Sequence, residues 1–162
     1  MPYNQPLKVH SRYTRDQILT AFKLSTFDRK SSSREGVAEN ISLNTELLFI
    51  NLIKSEEDFS PTTMYDDYAI SETLFHWQSQ NSSRPEIGRG LSYIKHIENK
   101  KKILLFVREK ATDQFGNTIG YVFIGEAFFK ENEGSKPMNI KWELNEPMPN
   151  YLWNASAKMS IG

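Results

Sequence analysis

The stretch Met138-Asn139-Ile140-Lys141-Trp142-Glu143-Leu144 alternates between apolar and polar side chains. Because successive side chains of a β-strand point to opposite faces of a sheet, this period of two predicts a strand with one buried and one solvated face. It is the clearest strand pattern in the chain. The fold is therefore expected to contain a sheet of which one face covers a hydrophobic core.

Further strands are predicted on the N-terminal side of this stretch. Residues 103–108 form a mostly apolar run that is typical of a buried strand. The remaining segments with strand patterns are a short one after Gly36, then 46–54, 74–80 and 121–129. Turn residues at 113–117 and at Gly134 separate the later strands.

A first helix is predicted near the N-terminus. Thr14 and Gln17 have the spacing of a capping box, in which each side chain bonds the backbone N–H of the other residue. Tyr13 and Ile18 are placed as a hydrophobic staple around that box. A helix is therefore expected over residues 14–24.

A second helix is expected after the capping-box spacing of Ser83 and Glu86, on an apolar stripe formed by Ile87, Leu91 and Ile94. Ser60-Pro61 begins a turn or a further short helix. Short strands combined with two or three short helices predict an α+β fold with a curled β-sheet or small β-barrel.

Length and composition limit the class of protein. The 162 residues fit one domain, with residues 1–10 as a tail or linker and 11–162 as a single domain. Cysteine is absent, which excludes disulfide scaffolds, zinc ribbons, iron–sulfur clusters and cysteine nucleophiles, and which favours a reducing, cytoplasmic setting. The apolar runs are too short to span a membrane, and the first residues lack the apolar core of a signal peptide.

The formal net charge of zero hides blocks of opposite sign. Residues 35–75 carry one basic and nine acidic side chains, whereas 1–34 carry seven basic and two acidic ones. Residues 76–110 carry eight basic and three acidic side chains. Such blocks are solvated faces brought together by the fold, or a basic rim around an acidic pocket, as in a nucleic-acid reader.

Motifs of common enzymes are missing from the sequence. It contains no P-loop, no glycine-rich dinucleotide turn and no Gly-x-Ser-x-Gly elbow. His10, His76 and His96 are far apart and have no carboxylate at metal-ligand spacing. We therefore expect no catalytic site, no metal and no cofactor in this chain.

Segment 59–80 is the most informative one for function. It interleaves aromatic rings with carboxylate and amide side chains, namely Phe59, Tyr65, Asp66, Asp67, Tyr68, Phe75, Trp77, Gln78 and Gln80. Such a set can form a pocket for a planar polar ring, as a flipped nucleobase needs stacking and hydrogen bonds on its Watson–Crick edge. The alternative is a sheet core that uses large aromatic residues, and the residues alone favour this alternative.

The same segment carries a resemblance to a known family. The strings Asp58-Phe59-Ser60-Pro61-Thr62-Thr63-Met64-Tyr65-Asp66-Asp67-Tyr68 and Phe75-His76-Trp77-Gln78-Ser79-Gln80 are similar to the domain of unknown function at the C-terminus of bacterial superfamily-two helicases that carry an N-terminal phospholipase-D-type nuclease. Further matching pieces are His10–Arg15, Arg34–Val37, Leu105–Glu109 and Lys136–Met138. The resemblance covers about residues 10–149.

The resemblance implies a restriction context. In ATP-dependent, modification-dependent restriction enzymes of this architecture, the C-terminal domain acts like an SRA domain and recognises 5-methylcytosine or 5-hydroxymethylcytosine. It implies an SRA-like or PUA-like curled barrel that flips the modified base out of double-stranded DNA. The helicase and nuclease domains of the parent polypeptide would be its partners, and the isolated domain would not be an enzyme.

This hypothesis assigns roles to individual residues. Tyr65, Tyr68 and Trp77 are candidates for stacking, and Asp66 or Asp67 for accepting from the cytosine amino group. Gln78 and Gln80, with Ser79 between them, are candidates for contacting the base edge or filling the emptied stack. Candidates for phosphate contacts are Arg12, Arg29, Lys30, Arg34, Arg84, Arg89, Lys100, Lys101 and Lys102.

Two alternatives remain open from the sequence. Lys100, Lys101 and Lys102 are equally compatible with a solvated hairpin or helix end. The whole domain is also compatible with a coupling or protein-interaction role, in which it packs on the helicase and never contacts a base.

Overall fold

The structure, a computed structural model, describes residues 6–24, 36–52 and 67–154. The strands are β1 (Arg12–Tyr13), β2 (Val37–Asn40), β3 (Thr45–Asn51), β4 (Tyr68–Ser71), β5 (Leu74–Gln78), β6 (Lys102–Arg108), β7 (Tyr121–Glu133) and β8 (Asn139–Leu144). The helices are α1 (Arg15–Ala21), α2 (Gly88–Ile94) and α3, residues 150–154. The turn or helix predicted at Ser60-Pro61 lies outside the described residues.

All eight strands belong to one sheet. Its order is β2-β3-β6-β7-β8-β5-β4, and β1 pairs with β7 beside this path. Strands β3 and β6 are parallel, with Leu48 opposite Leu105, and the other pairs of named strands are antiparallel. The sheet is curled but unclosed, with β2 and β4 at the two ends of the path. The predicted α+β class with a curled sheet and short helices is confirmed.

The inner face of the sheet encloses the larger hydrophobic core. Each strand of the path contributes at least one side chain to this core, from Val37 on β2 to Ala69 on β4. A single cluster fed by strands at both ends of the path requires the sheet to curl around it. The alternation predicted for β8 is confirmed, because Ile140, Trp142 and Leu144 are buried in this core.

The outer face of β3, β6 and β7 is covered by α1. Ile18, Leu19 and Phe22 of this region pack on a second cluster that contains Phe106 and Phe123, whose rings stack at a centroid distance of 4.8 Å. Strands β3 and β6 are therefore buried on both faces, as predicted for residues 103–108.

Helix α1 begins as predicted. The Thr14 hydroxyl accepts from the Gln17 N–H at 3.1 Å, and the Gln17 side chain accepts from the Thr14 N–H at 2.9 Å. The helix is shorter than expected: it ends at Ala21, and Phe22 is its C-cap. The capping box is correctly predicted because it depends on contacts between neighbouring residues.

Helix α2 begins differently from the prediction. Its N-cap is Ile87, which makes no side-chain cap, and the Ser83 hydroxyl donates to the Gln80 side chain instead. The capping box predicted for Ser83 and Glu86 is therefore wrong. The chain from Arg84 to Ile87 forms a tight turn, and a Cβ at Gly90 would lie 2.1 Å from the Arg84 carbonyl oxygen. This close approach requires glycine at position 90.

The end of β7 and the N-terminal segment also differ from the sequence prediction. Strand β7 continues to Glu133, beyond the predicted end at Phe129, because a register shift near Glu131 lets the strand follow β8. Residues 6–10, predicted as the end of a tail, lie against β7, and the His10 N–H donates to the Phe123 carbonyl at 2.6 Å.

Within the described ranges, no helix has the length and apolar character needed to cross a membrane.

Candidate nucleic-acid interface

A strip of polar and aromatic side chains lies on the outer face of β4, β5 and β8. We call it the polar strip, and it consists of Asp67, Tyr68, His76, Gln78, Asn139 and Lys141. The register places His76 between Tyr68 on β4 and Lys141 on β8, and it places Gln78 opposite Asn139. The alternation of β5 therefore sends these groups outward and sends Phe75 and Trp77 into the inner core.

The aromatic part of the polar strip is a stacked pair. The rings of Tyr68 and His76 have centroids 4.5 Å apart and an interplanar angle of 13°. Tyr68 is half-buried, whereas His76 is only 8% exposed. The pair is thus a planar platform in which His76 lies beneath and Tyr68 is the more accessible ring.

The hydrogen-bonding part of the strip lies where β5 ends and β8 begins. An Asp67 carboxylate oxygen accepts from the Gln78 backbone N–H at 3.0 Å. The Gln78 side-chain amide donates to the Asn139 carbonyl oxygen at 3.0 Å. All three residues are partly exposed, and they lie beside the stacked rings. This combination presents both donors and acceptors next to an aromatic surface.

Trp77 is placed on the opposite face of β5 from the polar strip. It is 4% exposed and packs edge-to-face on Tyr93 at 5.2 Å, with Trp142 at 6.2 Å. This placement corrects the stacking role predicted for Trp77, because strand parity sends its ring into the core together with Phe75. Tyr65 and Asp66 lie outside the described residues, so the structure brings together Asp67, Tyr68 and Gln78 from the predicted set.

Ser79 and Gln80 lie just beyond β5 and connect it to α2. Ser79 is fully buried, and its hydroxyl accepts from the Met138 N–H at 2.9 Å. The Gln80 side-chain oxygen accepts from the Ser83 hydroxyl and from the Tyr93 hydroxyl, each at 3.1 Å. These bonds hold the turn between β5 and α2 in place.

A buried ion cluster lies on the inner side of β2 and β3, away from the polar strip. The carboxylates of Glu39 and Glu46 are opposite each other on β2 and β3, and the Lys101 ammonium bridges them at 2.5 and 2.8 Å. Arg89 of α2 approaches the same two carboxylates at 3.4 and 3.6 Å, and Lys101 also donates to Ser92 at 2.9 Å. Glu46 has no exposed surface, and ionic contacts rather than aligned hydrogen bonds neutralise its oxygens.

The cluster shifts the titration of its neighbours. Burial raises the pKa of Glu39, but the hydrogen bond and charge of Lys101, with Arg89, outweigh it, so the net pKa is below the ordinary value. Burial raises the pKa of the Tyr93 hydroxyl well above its ordinary value, and the negative charge of Glu46 adds to this rise. Tyr93 therefore remains a neutral donor to Gln80 at physiological pH.

The basic residues predicted to contact phosphates have different environments. Arg89 and Lys101 are held in the ion cluster, and Lys101 is only 7% exposed. Arg12 forms a two-point contact with Glu109, both N–O distances being 3.1 Å. Arg84, Lys100 and Lys102 are exposed. The remaining candidates, Arg29, Lys30 and Arg34, lie outside the described residues.

Sequence reasoning missed several of these groups. His76, Asn139 and Lys141 belong to the polar strip, and the alternation of β8 did place Asn139 and Lys141 on one face without indicating a partner. Glu46 has the same strand parity as Leu48 and Ile50, which signals a carboxylate on the buried face. No pattern in the sequence identifies its partners, because Glu39, Arg89 and Lys101 meet it through strand pairing and helix packing.

The strip can bind a planar polar ligand by stacking and by edge hydrogen bonds, with Lys141 as a nearby cation. Lys141 pairs with Glu131 at 2.7 Å and is partly exposed. Across residues 6–24, 36–52 and 67–154, no group of three histidine or acidic side chains is arranged to hold a metal ion.

Comparisons with known proteins identify a family, and the solved structures that are similar to this chain include a plant protein. The sequence model of the family described as "Domain of unknown function (DUF3427)" matches residues 7–155. No curated protein matches the chain in sequence. A crystal structure of Arabidopsis thaliana SUVH6 in complex with SAM is similar, with a TM-score of 0.49 and 11% sequence identity. The similarity covers 88% of this chain and 27% of the SUVH6 chain.

Proposed function

Because this chain belongs to the DUF3427 family of domains of unknown function, we propose that it is a DNA-binding module that recognises a modified cytosine by base flipping. The modified base is 5-methylcytosine or 5-hydroxymethylcytosine. The proposal combines the resemblance described above with the chemistry of the polar strip.

The single observation that carries the proposal is the meeting of an aromatic platform with carboxylate and amide groups on one face. The Tyr68–His76 stack lies beside the Asp67–Gln78–Asn139 array. Recognition of an extruded base requires stacking on its ring and hydrogen bonds to its Watson–Crick edge. A carboxylate accepts from the cytosine amino group, and an amide both donates and accepts.

Within this proposal, residues around the strip have separate roles. Tyr68 provides the stacking surface, and Asp67 and Gln78 contact the base edge. Trp77 supports the strip from the core side of β5, where it is packed against Tyr93. Tyr65 and Asp66 retain their predicted roles as additional base contacts. Exposed basic residues such as Arg84 contact phosphates, which position the protein without reading sequence.

The discrimination available from such a site is modest. Burial of one methyl group contributes about 0.8 kcal/mol, which corresponds to a several-fold preference in affinity. Stronger selectivity requires steric fit or a hydrogen-bond partner for a hydroxymethyl group. This suits a targeting module of a cytoplasmic, ATP-dependent restriction enzyme, in which helicase and nuclease domains perform the later steps.

The test measures binding of matched duplexes that carry cytosine, 5-methylcytosine or 5-hydroxymethylcytosine, at one stated salt concentration. We expect a several-fold preference for one modified duplex, and we expect Tyr68→Ala and Gln78→Ala to remove that preference. Ile70→Ala is the matched control, because Ile70 is exposed on the same strand as Tyr68. Equal affinity of the unaltered protein for all three duplexes would contradict the proposal.

A coupling role is the second candidate, and exposed apolar residues on α2 and the following turn favour it. Ile87 and Ile97 are 57% and 58% exposed, and Leu91 lies between them in sequence at 37%. If this surface is the functional one, Ile87→Ser and Ile97→Ser should abolish association with the helicase domains and leave duplex binding unchanged. Incubation of the isolated domain with magnesium and DNA tests for catalysis, and we expect no cleavage.

A further inference from the structure

A cavity of about 340 Å³ lies on the outer face of the sheet, where β6 begins and β8 ends. Its floor is apolar and includes Phe22, Leu104 and Phe123 of the outer cluster. This volume falls within the range of about 300 to 1,000 Å³ that is typical of small-molecule sites. The cavity is therefore of a size for an organic ligand with a ring, and it is larger than an ion needs.

Four charged side chains lie at the rim of this cavity. They are Lys100, Lys102, Glu126 and Glu146. Among the described residues, none of the four forms an ion pair, whereas Lys101, between the two lysines, is fully engaged with Glu39 and Glu46. Charges of both signs thus converge on an apolar floor without neutralising one another.

Backbone hydrogen bonds fix this rim. The Asn145 N–H donates to the Glu126 carbonyl at 2.9 Å, which holds the end of β8 against β7. The Lys102 N–H donates to the Asn44 carbonyl at 2.9 Å, and the Asn44 side-chain amide donates to the Asn99 carbonyl at 2.9 Å. The segments that carry the lysines and the glutamates are therefore positioned before any ligand arrives.

We propose that this cavity binds one nucleotide unit, with its base on the apolar floor and its phosphate at Lys100 and Lys102. Two lysines suit a phosphate because they present several donors and two positive charges to a multiply charged anion. Phe22, Leu104 and Phe123 line the floor, which gives a planar base an apolar surface to cover. Glu126 accepts from an exocyclic amino group, and Glu146 accepts from sugar hydroxyls.

The site is separate from the polar strip. Asn139 marks the strip at the start of β8, and Asn145 lies at the cavity just after the strand ends. Six residues of extended strand place the two about 20 Å apart. The nucleotide site therefore does not depend on the proposed function. Its ligand is either a free nucleotide or one nucleotide of a bound DNA strand.

Calorimetric titration of the whole chain with cytidine monophosphate, uridine monophosphate, cytidine and inorganic phosphate tests this inference. We expect cytidine monophosphate to bind at least about tenfold more tightly than cytidine or phosphate alone, since each supplies half of the contacts. Lys102→Ala should weaken the monophosphate about tenfold and leave cytidine unchanged. Glu126→Gln should remove the preference for cytidine over uridine monophosphate. Lys110→Ala, an exposed lysine outside the cavity, is the control.

Two outcomes would overturn the inference. One is the absence of cytidine monophosphate binding at millimolar concentration by a protein that unfolds cooperatively. The other is equal binding of the monophosphate, cytidine and phosphate. A single-stranded oligonucleotide that competes with cytidine monophosphate, and whose binding Lys102→Ala weakens, supports a DNA strand as the source of the nucleotide. Binding of cytidine monophosphate without such competition supports a free nucleotide. Loss of duplex discrimination by Tyr68→Ala is unrelated to these readouts, so failure of one proposal is distinguishable from failure of the other.

Discussion

The ammonium nitrogen of Lys101 lies 2.8 Å from Oε1 of Glu46, a residue that has no exposed surface. Glu46 is on β3, and Lys101 immediately precedes β6, the parallel neighbour of β3. The contact thus connects the start of two central strands to α2 through Arg89 and Ser92. A carboxylate at this position is tolerated because two cations neutralise it inside the curl of the sheet.

Removing Lys101 should therefore destabilise the fold strongly. We expect Lys101→Met to lower the free energy of unfolding by about 3 kcal/mol, since a buried charge that loses its main partner is uncompensated. Lys102→Met is the control, as this neighbouring lysine is exposed and should change stability by less than about 0.5 kcal/mol. Urea denaturation measures both.

A double variant distinguishes the buried charge from lost packing. Glu46→Gln combined with Lys101→Met removes both charges, so the double variant should be more stable than the Lys101→Met variant. If the double variant loses as much free energy of unfolding as the two single variants lose together, the unpaired charge is not the cause of the destabilisation.

His96 provides a second link between α2 and the sheet. Its Nε2 accepts from the Phe129 backbone N–H at 2.9 Å, so the proton of the neutral ring is on Nδ1, which donates to the Lys101 carbonyl at 2.9 Å. Burial lowers the pKa of His96, and the charge of Lys101 lowers it further, while the Lys101 carbonyl and Glu126 raise it by less. The folded protein therefore favours neutral His96.

Stability should fall as the pH drops below the ordinary histidine pKa of about 6.5. The unfolded chain then takes up a proton that the folded chain resists, so the unfolded state binds more protons and is favoured. We expect a lower free energy of unfolding at pH 5.5 than at pH 7.5. Glu39 and Glu109, whose pKa values lie below the ordinary 4.5, lose their contributions only at lower pH.

The control for this pH dependence is an exposed histidine. His10 has a φ of 75°, a conformation that asparagine tolerates well, so His10→Asn should preserve the dependence. His96→Asn should reduce it. An equal pH dependence in both variants would show that other groups titrate in this range.

The sequence predicts those parts of the fold that depend on local patterns. The capping box of Thr14 and the alternation of Ile140, Trp142 and Leu144 are examples, because both follow from residues a few positions apart. The parallel pairing of β3 with β6 is not predictable in this way, since it joins residues more than fifty positions apart. The capping box predicted at Ser83 fails for a local reason instead, because the Gln80 side chain, three residues earlier, accepts from its hydroxyl.

The candidate site is predictable to a similar extent. The strings around Tyr68 and Gln78 identify the segment, and strand parity then separates outward Gln78 from inward Trp77. The choice between core and pocket for Trp77 depends on Tyr93 and Trp142, which come from distant parts of the chain. Composition alone does not reveal that Lys101 is buried while Lys100 and Lys102 are exposed.

Trp77 and Tyr68 should respond differently to truncation. Trp77→Ala should lower the free energy of unfolding by about 3 to 5 kcal/mol, because it leaves a cavity in the inner core. Tyr68→Ala should cost less than about 2 kcal/mol, since its ring is half-buried. Chemical denaturation provides the comparison, and a similar loss in both variants would contradict the placement of Trp77 in the core.

Gly90 should be intolerant of any side chain. A Cβ there would lie 2.1 Å from the Arg84 carbonyl oxygen and 2.7 Å from the Met138 sulfur, so the turn before α2 must move. We expect Gly90→Ala to lower the free energy of unfolding by about 3 kcal/mol. Gly36→Ala is the control, because its Cβ would meet its nearest neighbour at an ordinary 3.6 Å. Thermal unfolding of the two variants should differ by several degrees.

Arg12 offers a test of the phosphate contacts, because Glu109 holds its guanidinium by two N–O contacts of 3.1 Å. This contact competes with phosphate for the same donors. Glu109→Gln weakens the competitor, so duplex affinity at low salt should rise roughly threefold, and Arg12→Gln should reduce it. Arg12→Gln should also reduce the slope of log affinity against log salt concentration by about one, which corresponds to the loss of one phosphate contact. Duplex affinity that is identical in the Arg12→Gln protein and the unaltered one, across the whole salt series, would remove Arg12 from the interface.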